Sequence, residues 1–494
     1  MSDIPEVDSE AEHLQRPLSS RAARGAAHMV GGQVVRFTLQ ALNLILLARV
    51  LTDVDFGVFA MSWAIIGIGH IVKDAGLATA AVQALRVSPA QRSNLFWMNA
   101  GIGLALTMAG FLIAPILAVL YRNPDVLGVT LGLAPTIFLA SLTTQYRASF
   151  ARQLRVGALT AVDISCGFLG LAAGVAAALS GWGAQALVLQ QLAGGVFSLI
   201  GISVLAGWIP KRYDRGVPMG QFWRIGGGYF ISQLFHYVGN NADTVIMGIL
   251  HSPSTTGLYN RAVQLARVPL NQFRGPLDQV GVAALSKVQS EKEILVRYVN
   301  SANVVVVYPV LALAAFAVAA APVMVPLVLG ERWTAAVPYL QLLIAGEAMS
   351  TLAGGANWIF SAMGIAGSLA RFTAWATCIR IAVMAAMGFL GPHGVAIGFF
   401  VSHCVMWVVS LLIVRRVSGV ETRTLIEQGV RAILIWAPAA GLGFIAGLRT
   451  SDWAPWPSLT AIAAGVMAFP GVAMLVPVVR REVLQVIRTV KRLV

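Results

Sequence analysis

Apolar runs about twenty residues long recur from about residue 28 to about residue 479, and only short polar segments separate them. About fourteen such runs are read, at roughly 28–51, 58–82, 95–120, 127–148, 159–180, 185–207, 223–250, 257–285, 300–328, 336–361, 372–390, 394–414, 431–448 and 459–479. Each is long enough to cross the hydrocarbon core of a bilayer as a helix, the fold that satisfies its own backbone in lipid. The expected fold is therefore an all-α polytopic membrane protein. Composition decides against soluble domains, because charged residues make up 11% of the chain where about 25% is usual. The net charge of +14 does not point to nucleic acid. No basic block interleaved with aromatics stands in a soluble segment.

The basic residues instead set topology. An even number of spans puts both termini on one side. If that side is cytoplasmic, it holds most of the 35 Lys and Arg, including Arg147, Arg152, Arg155, Lys211, Arg212, Arg215, Arg415, Arg416 and Arg423. The opposite loops hold Arg122, Arg332 and Arg449. The positive-inside rule thus places both termini in the cytoplasm. The first 27 residues are polar and lack the apolar core of a cleavable signal peptide. Residues 480–494 are basic and amphipathic, fit to lie on anionic lipid.

An internal repeat divides the chain. "ILLARVLTDVDFGVFAMSWA" and "TVIMGILHSPSTTGLYNRA" each carry an apolar helix into a short polar turn, then Gly-x-aromatic, Gly57/Phe59 and Gly257/Tyr259. Gln33, Arg36, Gln40 and Asn43 share one helical face, as do Gln233, His236, Asn240 and Asp243, at the same 3-4-3 spacing. The offset is about 200 residues, or six spans, so the copies have the same orientation. The expected organisation is a tail at 1–27, one six-helix lobe at 28–207, a linker at 208–222 and a parallel lobe at 223–414. Two appended helices at 415–479 and the basic tail at 480–494 complete it.

Polar residues inside these spans are the functional candidates. Asn260, Gln264, Arg267, Asn271, Arg274 and Asp278 recur at spacings of 4, 3, 4, 3 and 4. They form one helical face about 27 Å long. Two arginines there require a water-filled cavity or polar partners, and a cationic wall suggests a path for an anion. Arg36, Lys73 and Arg380 join them. Arg49 and Arg261, near outer span ends, would snorkel to the interface or line an outer mouth. Asp163, His236, Asp243, Asp278 and Glu347 are the acidic and imidazole groups placed to bind a proton or sodium ion. Pro269 and Pro276 disfavour regular helix and would bend this span, as a hinge or as a static kink. Lys73 and Asp74 read equally as a helix-pinning pair, and His403 as a satisfied core histidine.

Enzyme signals are weak. Asp53-Val54-Asp55 has the D-x-D look of a metal-dependent glycosyltransferase, but its loop is short and its repeat partner lacks both aspartates. No P-loop, Cys/His metal cluster or Gly-x-Ser-x-Gly elbow appears. No metal or organic cofactor is expected.

At 240–289 the chain resembles the Wzx-type oligosaccharide flippases of the polysaccharide transporter family, within the superfamily that also holds the lipid II flippase and the multidrug and toxin extruders. Ala242, Asp243, Gly248, Gly257, Tyr259, Ala262, Pro269 and Pro276 carry the resemblance. "ARVLTDVDFGVFA" (48–60) and "KDAGL" (73–77) look like the family's first hairpin. The resemblance implies a two-lobed, V-shaped helical fold working by alternating access. Its substrate would be an oligosaccharide on undecaprenyl pyrophosphate, moved to the periplasmic leaflet of the bacterial inner membrane for O-antigen, capsule or exopolysaccharide synthesis. Polymerase and glycan-assembly proteins would be partners, beside the lipid bilayer. Under that reading Arg36, Arg49, Lys73, Arg261, Arg267, Arg274 and Arg380 would bind the pyrophosphate. Gln40, Asn43, Asn240, Gln264 and Asn271 would contact sugar. The alternatives are a cation-coupled drug extruder of the same fold, disfavoured by the arginines, and a polyprenyl-linked glycosyltransferase or polymerase, disfavoured by the missing large outer loop.

Overall fold

The computed structural model describes residues 32–285, 292–363 and 365–493. Within that range the side chains of 225, 226, 228, 229, 271–285, 292, 366–370 and 489–493 lie outside the description. Regular secondary structure among the described residues is all helical, with no strand. In order the helices are α1 (Gly32–Val50), α2 (Asp53–Val72), α3 (Leu77–Gln83), α4 (Pro89–Leu120), α5 (Asp125–Arg152) and α6 (Val156–Leu179). There follow α7 (Ala184–Ala206), α8 (Gly220–Leu250), α9 (Pro253–Leu285), α10 (Lys292–Leu329), α11 (Val337–Leu352) and α12 (Gly354–Ala362). The last are α13 (Ala366–Gly388), α14 (Pro392–Ser418), α15 (Arg423–Arg449), α16 (Pro455–Ala473) and α17 (Pro477–Leu493).

Each predicted span finds a helix, with two interruptions. The second span breaks at Lys73–Gly76, where Ala75 and Gly76 turn left-handed (φ 47° and 73°) before α3. The tenth breaks into α11 and α12. Ten stretches among the described residues are long and apolar enough to cross a membrane. The other four predicted spans fall short of that measure among the described residues: α8 and α9 carry the polar stripes, α11 stops after 16 residues and α13 carries Arg371 and Arg380. The expected bend at Pro269 and Pro276 does not interrupt α9, which runs through both.

The repeat is visible in how two helices start. Thr52 caps α2: its Oγ1 accepts from Asp55 N at 3.2 Å, while Asp55 Oδ2 accepts from Thr52 N at 2.9 Å. At α9, 200 residues on, Ser252 Oγ accepts from Thr255 N at 3.2 Å. Side-chain caps satisfy orphan donors of a first turn. The aspartates of the D-x-D are thus helix-end residues. Asp53 accepts from Val54 N and from the Ser254 hydroxyl.

The chain forms two compact units. One comprises Met1–Leu51 and Ile65–Leu234, the other Thr52–Ala64 and Phe235–Val494. In the first, α5 packs on α3, α4 and α7, and α7 on α6. In the second, α10 is the hub, touching α9, α11, α15, α16 and α17, while α14 joins α13 to α11. The last two spans, expected as an appendage, therefore pack directly on α10. The tail helix α17 is tied down too: Glu482 accepts from Arg431 Nη2 at 2.6 Å and from the Tyr308 hydroxyl. Arg480, Arg481 and Arg488 stay exposed.

Candidate functional site

In the first unit, α1, α2, α5, α6 and α7 bring charged groups together. Asp163 on α6 accepts from two arginines, Arg36 Nη2 at 2.9 Å and Arg147 Nη2 at 2.7 Å. Thr160 Oγ1 takes a further bond from Arg36 at 3.2 Å, and Ser198 Oγ one from Arg147 at 3.0 Å. Beside this bridge opens a cavity of about 780 Å³ whose walls include His70, Lys73, Thr143, Thr144, Arg147 and Gln233. A volume of this order suits a sizeable organic ligand. Lys73 Nζ bonds Thr144 Oγ1 at 3.4 Å, with no carboxylate at ion-pair distance among the described residues. Asp74 next to it accepts from Ala78 N at 2.8 Å and so holds the first turn of α3. In the break between α2 and α3 the two neighbours take different roles: Asp74 pins backbone, and Lys73 lines the cavity.

Arg147 is a site residue that the sequence analysis did not single out. Its place among basic residues near a span end suggested a topology signal, but α5 continues to Arg152 and carries it into the cavity wall. The signal was legible. Thr136, Thr143, Thr144 and Arg147 fall at 0, 7, 8 and 11, one helical face. Of the remaining α1 candidates, Asn43 Oδ1 accepts from Gln190 Nε2 at 2.6 Å, and Gln40 and Arg49 have exposed side chains.

In the second unit, Arg267 finds polar partners, one of the two outcomes its stripe allowed. Its Nη2 donates to Asp243 Oδ2 at 2.9 Å, its Nε to Glu347 Oε1 at 3.0 Å and its Nη1 to the Asn240 carbonyl at 2.6 Å. The Tyr259 hydroxyl donates to the same Asp243 oxygen at 3.2 Å. Asp243 is 1% exposed, so this is a buried network spanning α8, α9 and α11. Arg380 on α13 donates to the Gly239 carbonyl at 2.9 Å, and its Nε is buried without an acceptor among the described groups. His236 bonds Asn240 at 2.9 Å, and Gln264 bonds Asn260 at 3.1 Å. The two arginines balance the two carboxylates, so the described part of this site is near neutral.

Arg261 departs from both expectations. It neither snorkels nor lines a mouth. It is 5% exposed, with its guanidinium 3.5 Å over the Phe56 ring, a cation–π contact. His403 is the satisfied core histidine expected, its Nδ1 2.8 Å from the Phe399 carbonyl. The side chains of Asn271, Arg274 and Asp278 lie outside the described residues. No group of three or more His, Cys, Asp or Glu placed to hold a metal occurs among the described residues.

Comparison with known proteins agrees with this architecture. Residues 46–338 match the family model described as polysaccharide biosynthesis protein. The lipopolysaccharide biosynthesis protein WzxC of Escherichia coli (strain K12) is 23% identical over 430 residues, 85% of each chain. The teichuronic acid biosynthesis protein TuaB of Bacillus subtilis (strain 168) is 24% identical over 285 residues, 56% of this chain and 57% of its own. Among solved structures, the lipid II flippase MurJ in an inward closed conformation aligns with a TM-score of 0.71 at 10% identity, covering 90% of this chain and 99% of MurJ. An inward-facing multidrug resistance MATE family transporter aligns at 0.58 and 15% identity, over 78% and 96%. At these identities the structural likeness speaks to fold.

Proposed function

We propose that this chain, which belongs to the polysaccharide biosynthesis protein family, is a flippase for an oligosaccharide linked by pyrophosphate to undecaprenol. It would carry that lipid from the cytoplasmic to the periplasmic leaflet of the bacterial inner membrane by alternating access, feeding O-antigen, capsule or exopolysaccharide synthesis. The observation that carries the reading is the cavity of the first unit, where Lys73 and Arg147 face an open volume of about 780 Å³ inside a membrane-spanning bundle. Cations in a low-dielectric cavity suit a pyrophosphate, and the guanidinium fork of Arg147 suits its oxygens. Thr143, Thr144 and Gln233 offer the hydroxyl and amide partners that sugars need. Coupling to a proton or sodium ion fits the way Asp163 and Asp243 are each held by arginine. A phosphate that draws the arginine away frees a carboxylate to take up a cation.

The test is flipping of a lipid-linked oligosaccharide in proteoliposomes. Lys73→Met should lose most of the wild-type rate with normal insertion. An unchanged rate would move the phosphate site to Arg380 or Arg267. Failure of the wild type across several glycan donors, with export of cationic dyes instead, would turn the assignment to the drug extruder.

A further inference from the structure

Beside the main cavity of the first unit lies a smaller one of about 100 Å³, with Ala148 in the walls of both. Arg92 of α4 and Gln145, Ser149 and Arg152 of α5 line it, with Gln153 just beyond. Its lining contains no Asp or Glu. Among the described residues, neither guanidinium has a carboxylate at ion-pair distance. Arg152 is anchored by carbonyls at the end of α3, donating through Nη1 to Ala81 O at 2.5 Å and Ala84 O at 2.6 Å. Arg92 lies with its Cζ 4.1 Å over the Trp208 ring, and its Nε–H is buried without an acceptor. It also stands in the first turn of α4, the end of a helix that repels a cation and attracts an anion.

Two guanidiniums with no acid between them, one with an unmet donor, make a pocket built for an oxyanion. Its space equals that of about three waters, enough for one tetrahedral anion and too little for a sugar. We propose that this pocket binds a single phosphate group, carried by free phosphate or by the headgroup of a membrane phospholipid. The proposal does not depend on what the large cavity transports.

The test uses the full-length purified protein. Melting is followed in phospholipid-free detergent during titration with inorganic phosphate, against chloride at equal ionic strength. In parallel, phosphatidylglycerol retained after delipidation is counted by native mass spectrometry. Saturable stabilisation by phosphate supports the site and names the free anion. Retained phosphatidylglycerol without a phosphate effect supports the site and names the headgroup. In either arm Arg92→Gln should weaken binding about tenfold or more, while Arg86→Gln, an exposed arginine outside the pocket, should not. Gln153→Glu sets a carboxylate on the exposed rim without touching Arg92 and should also abolish binding, which covers the case of a poorly folding Arg92 variant. Equal binding by wild type and these variants in both arms overturns the proposal.

Discussion

Arg267 and Lys73 look alike in the sequence, basic residues within apolar spans, yet their surroundings give them opposite sensitivities. Arg267 is shared by Asp243 and Glu347, 1% and 9% exposed. Removing one partner of a buried ion pair leaves uncompensated charge and costs about 3–5 kcal/mol. Arg267→Ala should therefore lower the melting temperature of the purified protein sharply, and Arg267→Ala with Asp243→Asn and Glu347→Gln should recover part of the loss. Lys73→Met leaves no carboxylate unpaired and should melt with the wild type. A wild-type melt for Arg267→Ala would show that its ion pairs do not hold the fold. The distinction governs how transport data are read, since lost flipping in an Arg267 variant reports substrate binding only if the protein is still folded. Asp243 and Tyr259 gain a physical reason here too: Asp243 accepts from Arg267, and the Tyr259 hydroxyl donates to the same carboxylate oxygen.

At the scale of elements, the repeat explains how α2 and α9 meet. A Cβ added to Gly57 would lie 1.8 Å from the carbonyl oxygen of Pro253, and one added to Gly257 would lie 1.8 Å from that of Asp53. Each glycine thus faces the backbone four residues before its counterpart, a reciprocal crossing closed by the Asp53–Ser254 hydrogen bond and by Phe56 packed on Trp333. Backbone oxygens cannot rotate away, so Gly57→Ala and Gly257→Ala should each destabilise by about 1–3 kcal/mol or more. Gly101, on α4 with nothing within 4 Å, should gain about 0.5–1 kcal/mol as alanine. Thermal melts of the three variants test the crossing, which equal effects would refute. Asp53→Asn and Asp55→Asn keep acceptors at the same helix start and should leave flipping intact. Loss of function in a folded Asp53→Asn protein would revive an enzymatic D-x-D.

For the whole molecule, the fold class follows from repetition of one simple signal, which is why distant sequences share it: MurJ aligns over 90% of the chain at 10% identity. Membrane helices need apolar length and satisfied backbone, requirements that many sequences meet. Topology is a separate, electrostatic property of the loops. The excess of Lys and Arg on one side predicts that green fluorescent protein fused at residue 494 fluoresces in cells and that alkaline phosphatase fused there is inactive. The reverse pattern would invert the orientation and with it the direction of transport.

What the sequence determined by itself was everything carried by local periodicity: the helices, the repeat with its paired glycines, and the polar faces of α1, α8 and α9. Each follows from residues a few positions apart on one backbone. Tertiary structure alone decided which charges are available. Asp163 could not be known as the bridge between Arg36 and Arg147, nor Arg267 as ion-paired to Glu347 on α11, because those partners are 127, 16 and 80 residues away. Arg261 and Arg267, six apart on α9, ended one over the Phe56 ring and the other between two carboxylates. Spacing fixes the face of a helix on which a charge stands, but the energy of that charge inside a membrane depends on what the neighbouring helices place against it.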